Sequence, residues 1–571
     1  MRLVNKILAL GVVLMAICGC KSTASEVKEV NPDKVVAAYV TSWAKGMPDP
    51  NIMTHINYAF GGVNETFDGV KIGNEPRFAQ IVELKKVNPN LKVLLSVGGW
   101  GAGGFSEMAS DASRRESFAK DCARIVKEYG IDGIDIDWEY PGSDMAGISA
   151  SEDDTANFTL LMRDLRKAIG DDKLLTLASS ASGEYIDFRA IMPYMDFINL
   201  MTYDMGNAPQ HQAGLYNSPN TGRLTCDSSV KAHMAAGVPA NKIVLGLPFY
   251  GRGPVGQHGA DYRNIVVPEN CTVVWDSIAM VPYIADSTGT MVFGFDNPQS
   301  LKGKCEYVGK HNLRGTMYWD YNGDNDEKEL ATTVYDNTVY QPAKQNVLVL
   351  NEGGGQHGPF TKKAMEWLRE QADQQGFSIT ELRNANAITE DFLKGYDMVI
   401  QLDFPPYTWP EAAQSAFIDY IDNGKGSWIG FHHATLLGEF DGYPMWDWFS
   451  DFMGGIKFQN YVAQLADGTV VVEDSIHPVM AGVNPKFVLP DDEWYTYNVS
   501  PRANVQVLAS VDENTYTPAT EIKMGDHPVV WTNPSKKARN VYFQFGHSPR
   551  LFESEDFEQL FTNALKWGLS N

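Results

Sequence analysis

Between residues 35 and about 340 the chain repeats one pattern, a short and nearly continuous apolar run followed by a stretch of helical periodicity. The runs lie at 35–40, 56–60, 93–97, 133–138, 174–178, 197–201, 243–247 and 315–319. A strand packed on both faces loses its polar alternation because neither side meets water. Runs of this kind therefore belong to a parallel sheet covered by helices. The stretches 113–129 and 154–169 carry apolar residues at helical spacing. Eight strands with helices between them, over roughly 300 residues, predict a (β/α)8 TIM barrel over 35–341. Polar and aromatic residues gather at the C-terminal ends of the runs, where such barrels place their chemistry. A hydrophobic content of 44% with 21% charged residues excludes a disordered or fibrous chain.

The segment Gln341-Pro342-Ala343-Lys344 breaks the composition, and a second pattern starts. Strands at 346–351, 377–382, 397–402 and 427–431 alternate with helices at 362–374, 390–394 and 411–422. This predicts an open, doubly wound α/β domain over 345–571 with a β-rich C-terminal half. The linker is short, so the two domains are expected to pack rather than swing.

Residues 1–20 read as an export signal, with Arg2 and Lys6 ahead of the apolar run 7–17. That run is shorter than the roughly 20 residues a bilayer-spanning helix needs. Its end, Ile17-Cys18-Gly19-Cys20, resembles the lipobox of bacterial lipoproteins. The resemblance implies cleavage before Cys20, lipidation of Cys20 and anchorage to a membrane, in the outer membrane facing the periplasm or the cell surface. An ordinary secretory signal with an incidental Cys20 is the alternative. Residues 21–34 are polar and expected to form a flexible tether. Asp and Glu outnumber Lys and Arg by 71 to 47, for a net charge of −24, and loss of the leader makes it more negative still. Such a surface repels phosphates, which argues against nucleic acid as a partner and leaves neutral ligands open. Of the remaining cysteines, Cys122 falls in a helical pattern and is expected to be buried. Cys271 and Cys305 flank a loop-rich stretch and are the pair best placed for a disulfide, although sequence does not fix connectivity. No cysteine spacing matches a zinc motif.

The segment Asp132-Gly133-Ile134-Asp135-Ile136-Asp137-Trp138-Glu139-Tyr140-Pro141 carries the chemistry. Side chains alternate along a strand, so Asp135, Asp137 and Glu139 share one side, the barrel interior. Three buried acids are costly unless protonated, hydrogen-bonded or used. Partial burial and the charge of Asp137 are expected to raise the pKa of Glu139, as a general acid at neutral pH requires.

This strand resembles the Asp-x-x-Asp-x-Asp-x-Glu motif of glycoside hydrolase family 18, the chitinases and related endo-β-N-acetylglucosaminidases. The likeness extends to Ser96-Val97-Gly98-Gly99-Trp100, Met201-Thr202-Tyr203-Asp204, Gly246-Leu247-Pro248-Phe249-Tyr250-Gly251-Arg252 and Trp319. The resemblance implies an endo-acting, retaining hydrolase of β-1,4-linked N-acetylglucosamine, in chitin or chitooligosaccharides, that uses the substrate's own acetamido group. It makes Glu139 the proton donor, Asp137 the group that orients the acetamido, Asp135 its charge partner and Tyr203 a hydrogen-bond donor to the acetamido oxygen. Trp319 would floor the cleaved subsite, with Asp204 beside Tyr203 and Met201 on the cleft wall. Tyr140 and Arg252 are further substrate-binding candidates. Tyr39, Phe60 and Trp100 lie at strand ends, where stacking on sugar and ordinary core packing are both open. Only 22 residues separate Arg252 from Trp275, where many chitinases carry a larger insertion. A more open groove is expected, which keeps N-glycan cores in play as substrate. A sugar-capture protein that binds without cleaving is a further alternative, against which Glu139 speaks.

In the second domain, Ser427-Trp428-Ile429-Gly430-Phe431 followed by His432-His433-Ala434-Thr435 resembles the trehalose-utilisation (ThuA-like) family. That family is related to the flavodoxin-like class I glutamine amidotransferases. Asp492-Glu493-Trp494-Tyr495, Asp526-His527-Pro528 and Gly546-His547 add to the likeness. Amidotransferases place a nucleophilic cysteine where His432 stands, and no cysteine follows Cys305, so thiolate chemistry is excluded. His432, Glu493, His527 and His547, with His357 and His477, fall near predicted strand ends and loops. Their spacing matches no ligand motif, so a sugar-binding or vestigial pocket is expected, with no metal and no cofactor. Gly353-Gly354-Gly355-Gln356-His357-Gly358 satisfies Gly-x-Gly-x-x-Gly, but Pro359 favours a plain turn into a helix. Trp409, Trp446, Trp448 and Trp494 could stack on sugars, with core packing the default expectation.

Overall fold

The structure, a computed structural model, describes residues 30–570 apart from 258, 343 and 463. The expected leader and its Cys20 lie outside the described residues. Among those described, no helix is long and apolar enough to cross a membrane.

Eight parallel strands form the first domain. They are β1 (Val35–Thr41), β2 (His55–Val63), β3 (Lys92–Gly98), β4 (Gly133–Asp137), β5 (Leu174–Ser180), β6 (Phe197–Met201), β7 (Ile243–Pro248) and β8 (Gly315–Trp319). Each pairs with the next, and β1 pairs with both β2 and β8, which closes the barrel. Strands β1 and β7 are buried at every position, as their apolar character predicts, and β4 is buried throughout as well although it carries Asp135 and Asp137. The outward residues of the strands pack on the surrounding helices, while Val35, Ala37, Ala59, Phe197, Val244 and Met317 fill the barrel interior. The helix Ala112–Tyr129 shows how local chemistry sets its ends. The Asp111 carboxylate accepts the amides of Ser113 and Arg114 at its start, and Gly130 closes it in a left-handed conformation.

After β7 the chain makes a three-stranded antiparallel sheet, Thr272–Asp276, Val281–Ala285 and Met291–Gly294, before returning to β8. The expected bond between Cys271 and Cys305 does not form; both thiols are free. Cys305 faces inward from the helix Pro298–Lys310, where it accepts from the Thr338 hydroxyl at 3.4 Å, and Cys271 stands half-exposed in a turn. Flanking the same loop-rich stretch does not bring a buried helix face to a surface turn. Cys122 is buried, as expected.

The second domain is built on a nine-stranded sheet, with a small two-stranded sheet, Phe458–Tyr461 and Tyr495–Tyr497, beside it. The strands of the larger sheet are β9 (Asn346–Leu350), β10 (Ser378–Leu382), β11 (Met398–Gln401), β12 (Ser427–Phe431), β13 (Ala466–Val472), β14 (Lys486–Asp492), β15 (Gln506–Thr517), β16 (Pro528–Thr532) and β17 (Asn540–Phe543). They lie in the order β10-β9-β11-β12-β17-β16-β15-β13-β14. The first five are parallel, with helices on both faces, and the rest are antiparallel. Helices Gly358–Gln375 and Glu555–Leu569 cover one face and Glu411–Asp422 the other. Trp409, Trp446 and Trp494 are buried, in agreement with their expected core role. The domains touch directly. Arg189 donates to the Asn386 carbonyl at 2.7 Å, and the Asn312 side chain donates to the Asn346 side-chain oxygen at 3.0 Å. Asn31, inside the stretch expected to be free, is fastened to the barrel by a bond from its amide to the Val339 carbonyl.

Candidate active site

The mouth of the barrel at the C-terminal ends of its strands holds a cleft of about 1060 Å³. Every barrel residue singled out from the sequence lines it except Asp135, which lies beneath. Strand β4 builds the floor. Its outward Trp138 is buried between Phe105, with ring centres 5.3 Å apart, and Phe158. That anchor fixes the alternation which sends Asp135, Asp137 and Glu139 inward. The loop after β4 is tied down by Asp154, whose carboxylate accepts from Ser106, Gly142 and Ser151. On the neighbouring strand, Gly98 has φ of 130°, and a Cβ there would stand 1.9 Å from the Asp137 carbonyl oxygen. Only glycine lets β3 approach the backbone of the middle acid this closely.

The three acids are treated differently. Asp135 is fully buried and accepts four hydrogen bonds, from Tyr39 (2.9 Å), Ser96 (2.8 Å), Thr176 (2.6 Å) and Asn199 (3.1 Å). Burial raises its pKa and these four donors oppose the rise. Asp137 has one carboxylate oxygen buried with no partner. Burial, then the charges of Glu139 and Asp135, push its pKa far above the ordinary carboxylate value. Glu139 is pushed up to about 7, chiefly by burial, with the Tyr140 hydroxyl opposing and the Asp204 charge adding. The lift expected at Glu139 is present, but burial rather than repulsion from Asp137 is its main source.

Around the acids the side chains divide by role. Asp204, in a left-handed conformation at φ 55°, accepts two bonds from Arg252, at 2.8 and 2.7 Å, and one from Tyr250 at 2.8 Å. This bidentate pair locks the end of β6 to the segment after β7. Trp319 stacks on Phe60 with ring centres 5.6 Å apart and lies 5.6 Å from Tyr39. Of the three aromatic residues left open between stacking and packing, Tyr39 is a core residue, 1% exposed and committed to Asp135. Trp100 is 63% exposed, a free ring face at the cleft. Phe60 backs Trp319. Tyr140 stacks on Tyr185 with ring centres 4.6 Å apart, and Tyr203 and Met201 line the cleft wall. The sequence did not single out Trp43, Tyr185, Tyr250 or Asp320, which also line the cleft. Tyr250 stood within the strand-seven motif and was legible there. Trp43, 64% exposed, sits in a loop with no periodicity to announce it.

In the second domain His432, Glu493 and His547 come together, joined by His357 and His433. His527 does not join them. It is buried against Glu513 at 2.8 Å and the Tyr495 carbonyl at 2.8 Å, where it braces the sheet. His477 caps a short turn at Val479 and packs on Trp567.

Comparison with known proteins agrees with this geometry. The profile of glycosyl hydrolases family 18 matches residues 35–324, and that of trehalose utilisation matches 346–568. The chain is 33% identical to chitinase A1 of Niallia circulans over 49% of its own length and 46% of that protein's. It is 30% identical to mouse (Mus musculus) chitotriosidase-1 over 50% of its length and 72% of the relative's. It thus spans less than half of the first relative. A solved chitinase, ChiW of Paenibacillus sp. FPU-7, superposes with a TM-score of 0.50 at 30% identity, covering 56% of this chain and 45% of that one. The chain belongs to the glycosyl hydrolases family 18, with a trehalose-utilisation domain behind its barrel.

Proposed function

We propose that this chain is an endo-acting, retaining hydrolase of β-1,4-linked N-acetylglucosamine that borrows its nucleophile from the substrate. The observation that carries this reading is Glu139, a carboxyl lifted to about 7 by burial and set on the cleft floor beside Asp137. At neutral pH it is poised to give its proton to the glycosidic oxygen. Asp137, with a buried oxygen lacking a partner, is suited to accept the N–H of the acetamido group. The acetamido oxygen then attacks the anomeric carbon as the leaving sugar departs with the proton. Asp137 stabilises the cyclic oxazolinium that forms, and Tyr203 steadies the oxygen from the other side. Water, deprotonated by Glu139, opens the ring with net retention. Asp135, already fully hydrogen-bonded, sets the charge behind Asp137. In this reading the lipobox-like end at Cys20 supports a lipid anchor that would hold the enzyme to a membrane, the outer membrane being the one expected.

A second substrate, the chitobiose core of N-glycans, is favoured by one feature. The cleft wall after β7 comes from Phe249, Tyr250, Arg252 and Gly259 to Asp261, a short segment that would leave room for branches. The test is product analysis on defined chitooligosaccharides, their de-N-acetylated counterparts and high-mannose glycopeptides. Internal cleavage of the acetylated oligomers, with turnover of the de-N-acetylated ones lower by at least about 10²-fold, is expected, since the nucleophile leaves with the acetyl group. Cleavage of glycopeptides alone moves the assignment to N-glycan cores. Equal turnover with and without the acetyl group contradicts the mechanism.

A further inference from the structure

Five side chains from four loops converge on the second sheet: His357, His432, His433, Glu493 and His547. His357 follows β9, His432 and His433 follow β12, Glu493 follows β14 and His547 follows β17. Four of them thus stand at the C-terminal ends of the parallel strands, where doubly wound sheets bind ligands. We propose that this cluster is a binding site for a divalent transition-metal cation of the zinc type, held by His357, Glu493 and His547 and closed on its inner side by His432.

The geometry supports this on several counts. One ligand atom from each of His357, Glu493 and His547 lies within 4.8 Å of the others. A cation centred in a triangle of that edge is about 2.8 Å from each atom at most, against about 2.0–2.2 Å in a formed zinc site, so closure takes less than about 1 Å. The Nε2 atom of His357 is buried without a hydrogen-bond partner, a costly arrangement that a metal bond would relieve.

The tautomers point the same way. A carbonyl oxygen only accepts, so the 2.9 Å contact between His432 Nδ1 and the Gln544 carbonyl puts the ring proton on Nδ1. The Nε2 lone pair of the neutral ring then faces a Glu493 oxygen at 3.2 Å, acceptor against acceptor. A cation shared between them removes that conflict. His433 likewise gives its Nδ1 proton to the Asp403 carbonyl at 2.8 Å and leaves Nε2 free to accept. Donation of the far ring proton to a carbonyl is how metal-binding histidines are commonly oriented. The frame is rigid as well. Asp492 accepts the amides of Glu493 (2.9 Å), Gly546 (3.0 Å) and His547 (2.9 Å), so one carboxylate fixes two of the three ligand loops.

Neutral imidazole with carboxylate suits zinc, iron, nickel or copper far better than calcium or magnesium. The expectation of no metal rested on spacing along the chain, and a site drawn from segments nearly 200 residues apart leaves no such trace.

The experiment uses untagged full-length protein, stripped with chelator and titrated with Co²⁺ and then Zn²⁺. It is followed by visible absorbance and by metal analysis after gel filtration. One equivalent per chain is expected, with affinity reduced at least about tenfold by Glu493→Gln and by His547→Ala. His477→Ala, in the same domain but outside the cluster, is expected to bind as wild type. Far-UV circular dichroism and thermal unfolding report whether each variant folds, and the near-isosteric Glu493→Gln carries the test should His547→Ala not fold. Absence of stoichiometric uptake, or uptake unchanged in folded Glu493→Gln, overturns the proposal.

Discussion

The barrel mouth and the histidine cluster of the second domain stand in equivalent places, each at the C-terminal ends of parallel strands, yet burial prepares them for opposite work. In the barrel it falls on carboxyls and keeps Glu139 protonated to about pH 7, which makes a proton donor. In the second domain it falls on imidazoles. The His357 ring is held down to about 2, first by burial and then by its neighbours His432, His433 and His547, which leaves lone pairs rather than protons. One force, the cost of carrying charge out of water, thus yields an acid in one half of the molecule and a set of acceptors in the other. The side-chain type decides which.

The contrast can be broken or sharpened by experiment. A large effect is expected from pH. Glu139 must hold its proton, so kcat/KM should fall about tenfold per unit above 7, or about a hundredfold by pH 9. Stability follows with a definite sign. The folded-state pKa lies above the ordinary 4.5, so the contribution of this group is complete below 4.5 and lost as pH rises through about 7. Thermal unfolding of Glu139→Gln, which cannot ionise, should therefore vary less between pH 5 and 8 than that of wild type. An alkaline limb that begins well above 8 would mean that burial does not set the acid. A smaller effect is expected at the exposed platform. Trp100→Ala should raise KM about tenfold with little change in kcat, because it removes a stacking face and touches none of the acids. A fall in kcat alone would place Trp100 in the chemistry instead.

How much of each region could be read in the sequence follows from how it is assembled. The barrel acids lie on one strand with a period of two, so the alternation of Asp135, Asp137 and Glu139 with Ile134, Ile136 and Trp138 announces both the buried strand and its functional face. The fold was legible because most barrel strands and the central strands of the second sheet are nearly continuous apolar runs, whereas β10, Ser378–Leu382, alternates instead. What escaped is what comes from packing between distant loops. Trp43 and Tyr185 reach the cleft from segments without periodicity. Tyr39 resembles a stacking residue in sequence and becomes a core hydrogen-bond donor only because β1 neighbours β2 and lies across the barrel from Asp135. His527, alike in sequence to His547, is drawn into the sheet by Glu513, whereas His433, quoted only as part of a motif, turns toward the cluster.

The central claim is that one carboxyl, Glu139, donates the proton that breaks the glycosidic bond. The most direct measurement compares Glu139→Gln with wild type on one defined chitooligosaccharide, following turnover and binding in the same preparation. The account predicts turnover lower by about 10²–10⁴-fold with affinity within about threefold. Turnover equal to wild type in the folded variant would contradict it.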